Sequence, residues 1–250
     1  MPEILHTSIP YDTSARRLPG VRGLDPRDWL HRDEVFAEQM AARDHLLATR
    51  YADVVALRPG AEDLCRALMR FVLNWLDRHD AGYRIEAQTA HRPDGVTVPL
   101  DMSDPLRSLG RLVQEDFCLL TREEEEHVLT AAVVCFPAGW RLADKIGRPL
   151  AAIHAPVPDY VPVLAQRVQR LFDAVTVEQP LWRFNALPYA GPDLFQPNKK
   201  AARPGELPRF FRSERQSILR LPGATAEACV FSIHTYVCRA SAETPPNEHQ

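Results

Sequence analysis

One histidine stands out by its setting. His154 ends the apolar run Leu150-Ala151-Ala152-Ile153 and is followed by Ala155-Pro156-Val157-Pro158. The two prolines fix φ and bias the residues before them toward extended geometry, so the backbone just after the imidazole is stiff. A histidine held this way is preorganised to act as a ligand or to move a proton. The plainer alternative is a buried ring bonded to a neighbouring backbone group. Cations able to neutralise an anionic ligand are Lys145, Arg148, Arg183, Arg212 and Arg215, because a guanidinium pairs bidentately with a carboxylate. Arg212 and Arg215 flank Glu214 just before an alternating run, where an ordinary solvated turn is the other reading. Trp140 either walls a planar ligand or packs in a core.

A second histidine, His234, lies within Phe231-Ser232-Ile233-His234-Thr235-Tyr236-Val237. Strand alternation puts Ser232, His234 and Tyr236 on one face, which offers a proton donor, an acceptor and a phenol. Turned into a cavity, that face could serve chemistry; turned to solvent, it carries none. Glu115, Asp116 and Glu214 are the carboxylates placed to hold a protonated amine, although nothing local separates them from surface carboxylates.

The familiar catalytic strings are missing. The chain has no Gly-x-Ser-x-Gly, no His-Glu-x-x-His, no phosphate-binding glycine loop and no dinucleotide fingerprint. Redox chemistry here would therefore need electrons from another protein. The five cysteines form no Cys-x-x-Cys pair, so a zinc or iron–sulfur site is not indicated. An odd number without a framework suggests a reducing compartment. No basic region leads into an apolar core at the N-terminus, and no apolar run approaches about 18 residues. A cytoplasmic protein without a membrane segment is expected. A net charge of −3 over 250 residues argues against a dedicated nucleic-acid partner, and self-association is left open.

These residues need elements to position them. Residues up to about His31 read as an irregular arm that packs over something larger. Helices follow over Asp33–Tyr51 and Glu62–His79, the second with an apolar stripe of Leu64, Leu68, Phe71, Val72, Trp75 and Leu76. Asp104-Pro105 supplies an N-cap and first helical residue for a third. Strands over Asp116–Leu120 and Val128–Phe136 flank the acidic turn Glu123–Glu126 and form a hairpin. Pro137 and Gly139 close it. A helix over Asp159–Val175, a strand over Leu181–Leu187 and a long connection over 188–208 lead to a last hairpin, Gln216–Leu221 with Cys229–Val237. From pattern alone the fold is α+β, with an antiparallel sheet of about five strands and an N-terminal helical extension. The division expected is an arm and helical extension over 1–103, a core over 104–240 and a disordered tail over 241–250.

Three strings, Val133–Pro158, Arg212–Pro222 and Phe231–Val237, resemble the haem-dependent oxidative N-demethylase family. The resemblance runs from about Tyr11 to Arg239 and is densest between Glu115 and Pro158; its specificity lies in the order and joint presence of the strings. It implies a PAS-like subunit binding haem b, with His154 as the iron ligand. Lys145, Arg183, Arg212 and Arg215 would pair with the haem carboxylates, and Trp140 would lie against the ring. The implied reaction removes a methyl group from a small secondary amine, dimethylamine-like, with dioxygen, and yields formaldehyde. Glu214, Asp116 or Tyr236 would orient the amine, and electrons would come from a separate flavin and iron–sulfur reductase. A reading from a different class is a non-catalytic PAS-like haem or small-ligand sensor, which would use the same histidine.

Overall fold

The computed structural model describes residues 3–13, 20–155, 162–198, 208–224 and 227–240. The elements in order are β1 (Arg22–Gly23), α1 (Phe36–Thr49), α2 (Tyr51–Val54), β2 (Val55–Leu57), α3 (Glu62–His79), β3 (Arg84–Ile85), β4 (Thr89–His91) and β5 (Thr97–Pro99), then α4 (Pro105–Gly110), β6 (Asp116–Glu123), β7 (Glu126–Val133), α5 (Leu150–His154), α6 (Pro162–Ala174), β8 (Leu181–Tyr189), β9 (Phe210–Arg220) and β10 (Ala228–Arg239). Local chemistry explains several boundaries. In α3, acidic Glu62 and Asp63 open the helix and Arg78 and His79 close it, each suited to its end of the dipole. Asp104 caps α4 by accepting the Arg107 N–H, with Pro105 in the first turn. Gly110 ends that helix where a side chain would collide: an added Cβ would lie 2.9 Å from both Leu47 and Val133.

Strands β6 to β10 belong to one antiparallel sheet of seven, in the order β1-β8-β9-β10-β6-β7-β2. The sequence pattern led to five. The other two are β1 and β2, segments of two and three residues on the edges, too short for alternation to show. A separate three-stranded sheet holds β3, β4 and β5. The acidic turn between β6 and β7 is tight, with Glu124 at φ 52°.

The sheet has two differently covered faces. On the arm face, Phe117, Leu119, Val133, Leu219 and Val230 pack with Trp29, Met40, Leu68 and Val72. On the crossover face, Cys118, Leu120, Ala132, Ile218 and Cys229 pack with Leu142, Leu150, Phe172 and Val175 from the segment joining β7 to β8. Burying each such large side chain is worth about 1.5–3 kcal/mol, which holds the crossover against the sheet. Gly139, at φ 76°, turns the chain out of β7, where it pairs with Gln196.

The largest departure from the sequence pattern is in β9. It begins at Phe210, so the expected turn around Arg212–Arg215 is strand. Charged residues mask a strand there because they are buried and partnered. The prolines after His154, the start of the helix expected from Asp159 and the tail over 241–250 lie outside the described residues. Among the described residues, no helix is long and apolar enough to cross a membrane.

Candidate functional site

His154 is the last residue of α5 and lies over the crossover face, with Leu150 and Ile153 in the apolar layer beside it. Its Nδ1 is 2.9 Å from the carbonyl of Leu150. A carbonyl only accepts, so Nδ1 carries the proton and Nε2 carries the lone pair. Burial lowers the imidazole pKa against the Leu150 bond, and the charges of Lys145 and Arg183 lower it further. The ring is therefore neutral at neutral pH. The backbone bond that makes His154 look like an ordinary buried histidine also fixes the tautomer a ligand needs.

The cations near it come from both layers. The Lys145 ammonium lies 4.5 Å from the centre of the Trp140 ring, and burial depresses its pKa. Arg183 stands on β8 and donates to Gln216 Oε1 at 3.1 Å, while its buried Nε finds no hydrogen-bond partner among the described residues. Register fixes the neighbours. Arg183 pairs across to Gln216 and then Ile233, and the adjacent row is Asn185, Glu214 and Thr235. Next comes Leu187, Arg212 and Val237.

Glu214 is held by Asn185 Nδ2 at 2.9 Å, Gln216 Nε2 at 3.2 Å and the Arg212 guanidinium at 3.3 Å. Arg212 also donates to the carbonyls of Leu194 at 3.0 Å and Phe136 at 2.5 Å. Its Nε and the Thr235 hydroxyl are buried without hydrogen-bond partners among the described residues. Such groups cost roughly 1–3 kcal/mol each when left unpaired.

The remaining residues singled out by sequence lie elsewhere. Arg215 and Arg212 are three apart in a strand, so alternation sends them to opposite faces. Arg215 faces the arm, donating to the backbone carbonyls of Trp29 at 3.0 Å and Asp28 at 2.6 Å and to the Asp28 carboxylate at 3.1 Å. The two arginines grouped by the resemblance as partners of the haem carboxylates therefore stand on opposite faces. Asp116 is fully enclosed, 2.7 Å from Arg43 and accepting the N–H groups of Cys135 at 2.7 Å and Phe136 at 2.9 Å. Those bonds hold its carboxylate at the end of β7, and no substrate reaches it in this arrangement. Tyr236 lies on the arm face, 2.7 Å from His31 Nδ1, with burial raising its pKa far above the ordinary phenol range. Ser232, His234 and Tyr236 do share a face, but that face looks neither into a cavity nor to solvent: it meets the N-terminal arm.

The sequence reading missed the arm's contribution. His6, Tyr11, His31 and Asp33 all bond to the sheet or its margin. One signal was available for Arg43, which recurs with Met40 and Leu47 on the buried stripe of α1.

The cysteines offer no thiolate. Burial pushes Cys65, Cys118 and Cys135 up to about 12, and Cys229 and Cys238 up to about 11. The crossover face thus joins a neutral imidazole to unsatisfied guanidinium donors beside an apolar wall, a donor set suited to a flat anionic cofactor with a metal at its centre. Comparison with curated proteins finds no match. The family model described as haem-dependent oxidative N-demethylase, alpha subunit-like, matches residues 20–243. With nearly its whole length covered, the chain belongs to the haem-dependent oxidative N-demethylase alpha subunit-like family.

Proposed function

We propose that this chain is a haem-binding catalytic subunit that removes a methyl group from a small secondary amine, dimethylamine-like, at the expense of dioxygen. The amine methyl leaves as formaldehyde, one oxygen atom leaves as water, and two electrons and two protons are supplied from outside. The chain carries no dinucleotide fingerprint, so the electrons are assigned to a separate flavin and iron–sulfur reductase. We read the five long strands as PAS-like. A hairpin, a helical crossover and three further antiparallel strands support that reading, with β10 returning beside β6. Residues 104–240 then form the haem-binding core, with 1–103 packed over it. Unpaired, mostly buried thiols suit a reducing, cytoplasmic compartment.

One observation carries the assignment: His154 and the groups of Arg183, Arg212 and Thr235 that lack hydrogen-bond partners among the described residues belong to the same face, over which the apolar crossover lies. Haem b fits these residues. When bound, it would supply the iron that activates dioxygen. His154 would bind through Nε2, with the Leu150 carbonyl holding the ring in that tautomer. Lys145, Arg183 and the free edge of Arg212 would pair with the two carboxylates, and Trp140 would wall the pocket. Glu214, held in place by Asn185 and Gln216, would attract the ammonium form of the amine and orient it. Leu142, Ile146 and Ile153 exclude water from that side.

The test is to purify the chain after expression with iron and a haem precursor and to assay formaldehyde from dimethylamine with an added reductant. A haem spectrum with formaldehyde release is expected. A haem spectrum without turnover under every reductant would favour the sensor.

A further inference from the structure

We infer that the N-terminal arm is bolted to the sheet by a buried imidazolium, His234, shared between two carboxylates, and that removing its proton releases the arm. The inference concerns the arm face and is independent of haem. His234 Nε2 lies 2.8 Å from Asp33 Oδ2, and Nδ1 lies 3.0 Å from Glu115 Oε1. An ionised carboxylate can only accept, so both ring nitrogens must carry protons and the ring is charged. The side chains of His234 and Glu115 are each 1% exposed, which leaves no water to make up a lost bond.

The bonds run on from there into the arm. His6 Nε2 lies 2.7 Å from the same Asp33 Oδ2, and His6 Nδ1 accepts the Val237 N–H at 3.0 Å. The His31 N–H donates to Glu115 Oε1 at 2.7 Å. Asp33 Oδ1 accepts from Gln114 Nε2 at 2.8 Å and from the Val35 N–H at 3.1 Å. One proton on His234 therefore ties His6, His31 and Asp33 to β10 and to Glu115 just before β6.

The charged and titratable groups around His234 can be taken element by element. From the arm come His6, Tyr11, Asp28, His31 and Asp33; from the residue just before β6 comes Glu115. Arg215 of β9 is the cross-strand partner of His234, and Tyr236 is next on its own face. His31 stays neutral, because burial and the positive charges of Arg215 and His234 lower its pKa to about 4. Both phenols keep their protons, since burial raises Tyr11 and Tyr236. The two carboxylates are thus met by the charge of His234, while Arg215 pairs with Asp28. Burial works against the His234 charge, but the bonds to Asp33 and Glu115 outweigh it and raise its pKa to about 9.

His6, Asp33 and His234 also converge closely enough to suggest a metal site. The Val237 N–H decides against it, because the Val237 carbonyl, 3.3 Å from the same His6 Nδ1, is already bonded by the His6 backbone N–H at 2.7 Å. By occupying His6 Nδ1 it leaves the ring proton on Nε2, where a metal would need the lone pair. Protons on the two imidazoles already satisfy the set.

The sign of the pH effect follows. The folded pKa of His234 lies above the ordinary 6.5, so its contribution is complete below that value and is lost as pH rises through about 9. The experiment is amide hydrogen exchange on the full chain, corrected for intrinsic rates, between about pH 7 and about pH 10. Protection of arm residues 20–33 should fall by about tenfold or more while that of α3 holds. The His234→Gln variant should show the low arm protection already at the lower pH. Equal arm protection across the range would overturn the inference. Should the variant not fold, ring-nitrogen NMR of the wild type decides: two N–H groups on His234 at neutral pH are expected, and one N–H with one lone pair would refute it. A rise in thermal stability when zinc is added to chelator-treated protein, lost in His6→Ala, would likewise refute it in favour of a metal.

Discussion

The two faces of the sheet are built from similar residues and handled in opposite ways. Both carry arginine, glutamate and hydroxyl side chains on β9 and β10, and both bury them. On the arm face, Arg215, His234, Ser232 and Tyr236 each find partners in the segment before α1. Among the described residues Glu115 Oε2 is left over there, while Glu115 Oε1 takes two donors. On the crossover face, Arg183 Nε, Arg212 Nε and Thr235 Oγ1 are all left over among the described residues, and the donors belong to cationic side chains. A closed set of hydrogen bonds fixes a conformation. A set left open on the donor side is a place for an anionic ligand. The same distinction separates residues that sequence alone could not rank, such as Arg212 from Arg215.

Variants sharpen this contrast when placed on one face or the other. The largest effect is expected next to the arm face, at the enclosed pair of Arg43 and Asp116. Arg43→Ala strands a buried carboxylate and should cost about 3–5 kcal/mol, read as a lowered denaturant midpoint, with haem still bound by the folded fraction. A smaller loss, about 2–3 kcal/mol, is expected for Glu115→Gln, which takes one of the two charges from His234. The pH profile of stability should reflect both signs. The carboxylates of Asp33 and Glu115 sit below their ordinary ranges, Asp33 because His234 and His6 donate to it and Glu115 because His234 does, in each case against burial. Their contribution is complete above the ordinary carboxylate pKa and is lost as pH falls. His234 contributes the opposite limb, lost as pH rises through about 9. A plateau between the two limbs, seen by thermal melts, is the expected result.

On the crossover face the pattern should invert. Arg183→Ala should leave stability within about 1 kcal/mol, since it removes an unsatisfied donor, but weaken haem binding by about tenfold. Comparing titrations at two salt concentrations tests this, because a partly buried pair resists screening. Arg215→Ala should do the reverse, lowering stability with little change in haem affinity. The smallest effect belongs to Arg170, exposed on α6: its alanine variant should change neither quantity.

Much of the fold was legible in the sequence because its elements obey simple periods. The stripe of α3 gave its span without error, and Asp104-Pro105 marked the start of α4. The β6–β7 hairpin showed through its acidic turn. What was hidden was hidden by burial of charge. Arg212, Glu214 and Arg215 look like a solvated turn, yet they are strand residues whose charges are met by Phe136, Leu194, Asn185 and Asp28 from distant parts of the chain. The arm was read as a passive wrap because His6, His31 and Asp33 have no period to reveal them. Their role depends on partners up to 231 positions away, which no local pattern encodes. His154 was visible as a rigid apolar histidine, but its tautomer became clear only with the Leu150 bond.

The most direct test of the central claim is a haem titration followed by absorbance, run in parallel on the wild type, His154→Ala and Arg215→Ala. The wild type and Arg215→Ala should saturate with the same spectrum of a histidine-ligated iron, and His154→Ala should show only free haem or a weak, altered band. An unchanged spectrum and affinity in His154→Ala would move the iron ligand elsewhere and remove the crossover face as the cofactor site.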